Sequence, residues 1–182
     1  MEIMFDKATL RATLLARRTA LTAAQCEAAN TAIASHVIDW WRANPVPSLG
    51  VYWPMRNEPD VRGVYATLAG LGVQLALPVV DGPASPLRFI AWAPGEALQK
   101  DTMGVSVPLQ QATCIQPAAL LIPCLGFTAE GLRLGYGGGF YDRTLAVAPV
   151  PLTVGIAYAW AAVNFAAEPF DVPLGRIITE LG

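Results

Sequence analysis

Histidine is almost missing from this chain: His36 is the only one among 182 residues. It falls in a helical pattern with no acid or nucleophile beside it, so a histidine-based triad has a single, badly placed base. Cysteine is scarce as well. Cys26, Cys114 and Cys124 are odd in number and lack metal-ligand spacing, which argues against a zinc centre and for reduced, buried thiols in a cytoplasmic protein. Charged residues make up only 14% and sum to −2. With no basic block, neither a nucleic acid nor a membrane is an expected partner. The opening stretch MEIMFDKATLRATLLARR has acids before its bases and no apolar centre, so no secretory leader is expected.

What the chain has in quantity is apolar residues, at 54%. Residues 102–129 and 144–167 carry no charge at all, but Pro108, Pro117 and Pro123 break the first tract and Pro149, Pro151 and Asn164 the second. Both therefore read as buried strands and loops rather than membrane spans. Residues 6–20 read as a helix. On its wheel Lys7, Arg11 and Arg18 fall within about 40° of one another, intermixed with Leu10, Leu14 and Leu21. Their stems can pack while the heads reach an anion, or they can simply snorkel to solvent. Thr22-Ala-Ala-Gln25 is a capping box. It opens a second helix with an apolar face of Cys26, Ala29, Ile33, Val37 and Trp40, closed by Asn44-Pro-Val-Pro47.

Strand patterns follow at residues 48–53, 72–80, 87–92, 118–122, 152–158 and, more briefly, 176–179, with a helix at 61–69. Residues 93–117 are proline-punctuated and weakly patterned, and residues 81–86 read as a hairpin or a short irregular link. Helices alternating with apolar strands predict one domain over residues 1–182. Its expected fold is three-layer α/β/α with a mostly parallel, open, Rossmann-like sheet. Loops at the strand carboxyl ends would then share one cleft, which places Glu58, the segment after Tyr158 and a glycine-rich loop together.

That loop lies in residues 132–145, LRLGYGGGFYDRTL. Gly135, Gly137, Gly138 and Gly139 let successive N–H groups converge on one point, and a helix predicted over 140–147 adds free N–H groups at its start. Arg133 and Arg143 flank the loop. The pattern suits a phosphate, or else is only a tight turn. It is not a Walker A loop, since no Gly-Lys-Ser/Thr follows, and Phe140 stands where a dinucleotide fingerprint needs its third glycine. Asp142 and Asp171 offer two carboxylates for a hard cation, although Asp142 is equally suited to a helix amino terminus. Glu58 and Asp60 can likewise simply complement the helix that follows them.

PCLGFTAEGLRLGYGGGFYDRTL resembles the signature of the 5-formyltetrahydrofolate cyclo-ligases, also called methenyltetrahydrofolate synthetases. The likeness extends through Tyr52 to Asp60 (YWPMRNEPD), LPVV, LRFIAW, MGVSVP, LTVGIAY and FDVPLGRIIT, and so covers nearly the whole chain. It implies ATP-dependent cyclisation of 5-formyltetrahydrofolate to the 5,10-methenyl form, with ATP as co-substrate and Mg²⁺ as the metal. It further implies nucleotide contacts from Lys7, Arg11, Arg133, Gly135, Tyr136, Gly137, Gly138, Gly139, Phe140, Tyr141 and Asp142. Folate contacts are implied for Tyr52, Glu58, Met103, Phe140 and Tyr141, catalytic roles for Arg143, Tyr141 and Glu58, and metal ligation for Asp142 and Asp171. A monomer or weak homodimer handling small molecules is expected. The family pattern has a glutamate where this chain has Val107, an aspartate at Thr128, a histidine at Phe170 and a glutamine missing from Tyr158-Ala-Trp-Ala-Ala162. The resemblance is therefore stronger on the phosphate half of the implied site than on the folate half. A non-catalytic folate- or nucleotide-binding paralogue is the alternative. A phosphate-handling enzyme of another kind, such as a sugar-phosphate isomerase, would lack a well-placed general base.

Overall fold

A computed structural model describes residues 6–182; the first five residues of the stretch read above as leaderless lie outside it. Asp6 caps helix α1 (Lys7–Thr19) by accepting from the N–H groups of Ala8 and Thr9. Helix α2 (Ala23–Ala43) opens on the expected capping box, with both reciprocal bonds between Thr22 and Gln25 formed. Strand β1 (Ser48–Gly50) leads through a loop to helix α3 (Gly63–Gly70), and strand β2 (Gln74–Val80) turns back into β3 (Leu87–Ala91). Strands β4 (Leu98–Lys100), β5 (Ser106–Pro108) and β6 (Cys114–Ile115) occupy the weakly patterned region. Strand β7 (Ala119–Pro123), a small hairpin of β8 (Gly126–Phe127) and β9 (Arg133–Leu134), helix α4 (Phe140–Leu145), β10 (Leu152–Ile156) and β11 (Arg176–Ile178) complete the chain.

The main sheet has the order β11-β10-β7-β1-β2-β3-β6. From β11 to β2 every pairing is parallel; β3 and β6 add antiparallel strands at one edge. Residues 81–86 are thus a hairpin link, with Val80 opposite Leu87. Alternation along the strands divides the core. Leu75, Leu77, Ala119, Leu121, Val154 and Ile156 face Ile33, Val37, Val64 and Leu68 of α2 and α3. Ala76, Leu120 and Ile122 point the other way, toward Leu145 of α4 and Leu174.

The expected layers are present, but the second is thin: a six-residue helix and the irregular C-terminal chain. Helix α1 does not cover a sheet face. Its Leu10 and Leu14 pack with Leu125, Leu134 and Phe165, beyond the carboxyl end of β7, so the basic stripe of α1 is delivered to the strand ends. Two local expectations are corrected. The first strand stops at Gly50 rather than Trp53, and Cys114 is exposed on the edge strand while Cys124 alone is fully buried. No helix among the described residues is long and apolar enough to cross a membrane. His36 is structural, its Nδ1 lying 2.9 Å from the carbonyl of Thr179.

Candidate active site

Beyond β9 the chain runs through residues 135–139 and enters α4 with Gly139 as its N-cap. Gly137 (φ 95°) and Gly139 (φ 66°) take left-handed conformations that side-chain-bearing residues rarely adopt. Gly138 is needed for space instead, since a Cβ there would stand 2.7 Å from the Phe140 ring. Cations hold the loop. Arg11 Nε donates to the carbonyl of Gly135 (2.9 Å) and Arg143 Nη1 to that of Gly138 (2.8 Å). Arg133 lies over the Tyr141 ring and 3.5 Å from Asp142, with its buried Nε finding no partner among the described residues. Burial pushes the Tyr141 hydroxyl well above the usual tyrosine range despite that nearby cation, so it is a neutral donor rather than a base.

At the neighbouring rim, Lys7 Nζ reaches Asp171 Oδ2 at 2.6 Å and Glu168 Oε2 at 3.3 Å. Burial alone would raise the Asp171 carboxyl. The Lys7 bond and the Glu168 backbone N–H outweigh it and hold the carboxyl below its ordinary value. Among the described residues no three His, Cys, Asp or Glu side chains converge as a ready-made metal cage. A magnesium ion carrying substrate phosphates needs only one or two carboxylates. Asp142 and Asp171 line one cleft beside the glycine loop, each with a cation, Arg133 or Lys7, within 3.5 Å, and make a carboxylate set of that size.

The loop after β1 builds the opposite wall. Glu58 is 5% exposed. Its Oε2 accepts from the N–H of Met55 (3.0 Å) and its Oε1 from the hydroxyl of Tyr136 (2.9 Å). Desolvation raises the Glu58 carboxyl above its ordinary value, opposed by the charges of Arg18 and Arg56 and by those two bonds. The same desolvation, with Glu58 beside it, lifts Tyr136 to about 12. Tyr52 is buried, and its hydroxyl donates to the carbonyl of Pro59.

The residues expected from the family resemblance to form the site, from Lys7 and Arg11 through Tyr52, Glu58 and Met103 to the glycine loop, Arg143 and Asp171, line a single cleft of about 1000 Å³. Arg56 and Glu168, which carried no signal of their own, also line it, as does the exposed Phe170, singled out above only as a departure from the family pattern. Arg18, which the helical phase did place with Lys7 and Arg11, lies behind the wall and is 1% exposed.

A glycine loop flanked by arginines and a buried acid, lining one cleft near the carboxyl ends of parallel strands, place this chain among the α/β proteins whose clefts lie at the strand ends. The chain belongs to the 5-formyltetrahydrofolate cyclo-ligase family, whose model matches residues 3–180. It is 28% identical over 171 residues to the 5-formyltetrahydrofolate cyclo-ligase of Haemophilus influenzae, covering 88% of this chain and 90% of that one. It is 31% identical over 138 residues to that of Mycolicibacterium smegmatis, covering 70% and 71%. Its fold is similar to that of a 5,10-methenyltetrahydrofolate synthetase from Mycoplasma pneumoniae, with a TM-score of 0.82 and 26% identity over 97% of this chain and 99% of the other.

Proposed function

We propose that this chain catalyses the ATP-dependent cyclisation of 5-formyltetrahydrofolate to 5,10-methenyltetrahydrofolate, releasing ADP and phosphate. The observation that carries the reading is the single cleft with the cationic glycine loop on one side and the buried Glu58 on the other. A formamide oxygen is a poor leaving group, so it must be activated. In the proposed sequence it attacks the γ-phosphorus, ADP departs, and the N5-formyl group becomes an iminium phosphate. N10 then attacks the former formyl carbon, phosphate leaves with the oxygen, and N10 loses its proton.

Phosphoryl transfer of this kind asks the protein for in-line positioning and charge neutralisation rather than covalent chemistry. Lys7, Arg11, Arg133 and Arg143, with the N–H groups of residues 135–139, supply the donors in this proposal. Asp142 and Asp171 would hold Mg²⁺, which neutralises phosphate charge when bound. Glu58 would accept from pterin N–H groups, Tyr52 and Met103 would contact the folate, and Phe140 and Tyr141 would line the boundary between the two substrates. Protein mixed with 5-formyltetrahydrofolate and Mg-ATP should give rising near-ultraviolet absorbance from the methenyl product, dependent on both ATP and Mg²⁺. Asp142→Ala should abolish the rise and keep the fold. A flat trace from folded, ATP-binding wild type would favour a non-catalytic paralogue.

A further inference from the structure

One buried cation lies between the two loops that form the halves of the cleft. Arg18 Nε donates to the carbonyl of Arg56 at 2.9 Å, and its Nη2 donates to the Tyr136 hydroxyl. Its own carbonyl accepts from Asn57 Nδ2 at 3.2 Å. Arg56 and Asn57 are consecutive non-glycine residues with φ of 49° and 56°, a costly backbone that persists only where its surroundings over-determine it. Arg18 braces that backbone from one side, and the Tyr158 hydroxyl, donating to the carbonyl of Asn57 at 3.0 Å, braces it from another.

The Tyr136 hydroxyl has a single proton. It goes to Glu58 Oε1, so the bond from Arg18 is one the oxygen accepts. Donation therefore runs from Arg18 through Tyr136 to Glu58, whose other oxygen accepts from the Met55 N–H, so the carboxylate ties the two loops together. The Tyr136 ring completes the clamp, with the guanidiniums of Arg18 and Arg56 at 5.5 and 5.4 Å. We propose that Arg18 is a positioning residue that, through Tyr136, locks the Glu58 loop and the glycine loop into one arrangement, so that a change at either loop is felt at the other.

This deepens the cyclo-ligase reading and rests on it for its meaning in catalysis. A buried arginine is a poor choice for packing alone, because apolar side chains of similar volume serve as well without desolvating a charge. The groups facing Glu58 explain the choice. They are Arg56 on its own loop, Tyr52 before it, Tyr136 of the glycine loop, Tyr141 of α4, Cys124 after β7 and Arg18 of α1. Of these only the two arginines are cationic, and Arg18 exerts the larger opposing effect on the burial of Glu58.

Two experiments decide the matter. The first uses ligand-free protein and reads amide exchange by NMR. Tyr136→Phe removes one hydroxyl from the glycine loop, yet the Met55 amide, on the other loop, should exchange about tenfold faster, the effect of losing one charge-assisted bond. Arg18→Lys should do the same, because one ammonium does not span the Arg56 carbonyl and the Tyr136 hydroxyl together. Unchanged Met55 exchange in both variants would overturn the proposal.

The second reads kcat/KM against pH in the presence of Mg-ATP. Arg18→Met should move the acid limb to higher pH, while Arg18→Lys, which keeps the charge, leaves it in place and raises the KM for the folate. A limb that stays put in Arg18→Met would show a merely structural arginine. Should the wild type show no turnover, the functional reading fails, and the exchange experiment still decides whether the loops are coupled.

Discussion

Lys7 joins the first helix of the chain to the segment that closes the cleft from the other end of the sequence, and its strength is open to measurement. Its Nζ is 2.6 Å from Asp171, and the two side chains are 12% and 14% exposed. Exposed ion pairs contribute about 0.2–1 kcal/mol, whereas a hydrogen bond to a charged group at this degree of burial contributes about 1.5–3 kcal/mol. The second leg, to a Glu168 that is 66% exposed, adds little. Lys7→Met and Asp171→Asn should each cost about 2 kcal/mol and lower Tm by about 4–8 °C in a domain of this size. The double variant should cost scarcely more than either single one. A carboxyl whose folded pKa is depressed contributes stability above its unfolded pKa and loses it as pH falls through the folded value. The coupling should therefore be full at pH 7 and fade as pH drops below the ordinary aspartate range. Urea denaturation of the four ligand-free proteins at neutral and acid pH measures it. A coupling under about 0.5 kcal/mol at pH 7, or one indifferent to acid, would refute the reasoning.

The glycine loop separates strain from crowding. Gly137→Ala meets nothing closer than the Arg11 guanidinium at 3.6 Å but must adopt φ 95°, so melting should show a loss of about 1–2 kcal/mol. Gly138→Ala has no such φ but displaces the Phe140 ring, so it should raise KM with a smaller change in melting. The raised Glu58 carboxyl predicts that kcat/KM climbs with pH through a limb above the ordinary glutamate value of 4.5, because the ionised form is the acceptor; Glu58→Gln should flatten that limb in whatever activity remains. Phe170→His changes a residue that is 84% exposed, so stability should move by no more than about 0.5 kcal/mol, and any change in KM for ATP or folate reports contact across the rim.

Local rules made much of this fold legible. The Thr22–Gln25 box, the short, continuous apolar runs of β2 and β7, and the common phase of Lys7, Arg11 and Arg18 are each written within one or two turns or strands. The edge elements are not. Gln99 and Lys100 are exposed and only Leu98 is partly buried, too short a pattern to show a strand's alternation. Their pairing with β5 is set by a turn in which Asp101 accepts from the N–H groups of Met103 and Val105. The β8–β9 hairpin has strands of two residues, too short for any period, and its shape depends on Leu14 of α1 fitting against Gly126. Tyr136 was visible only as a member of the glycine loop. Its bond to Glu58 spans 78 positions, and no local pattern encodes a contact of that range.

The departures from the family pattern take on a different meaning once placed. Thr128 is buried, and its Oγ1 accepts from the N–H of Leu132 while its carbonyl accepts from that of Gly131. A threonine hydroxyl can close a turn as an aspartate does, only more weakly. Val107 packs with Val79 and Ile90, where a glutamate would need a partner and a valine needs none. In residues 158–162, Tyr158 stacks on Trp160 and the Ala159 N–H is taken up by Glu180. None of these positions lines the cleft, and of the departures only Phe170 does. Sequence made the folate side look the more altered half. Position assigns most of that alteration to the scaffold, where a lost polar group is compensated by packing or by a substitute hydrogen bond. The wall that Glu58 shares with Tyr136 has its acid, its hydrogen-bond donors and the Arg18 countercharge in contact with one another, which is what the proposed reaction asks of it.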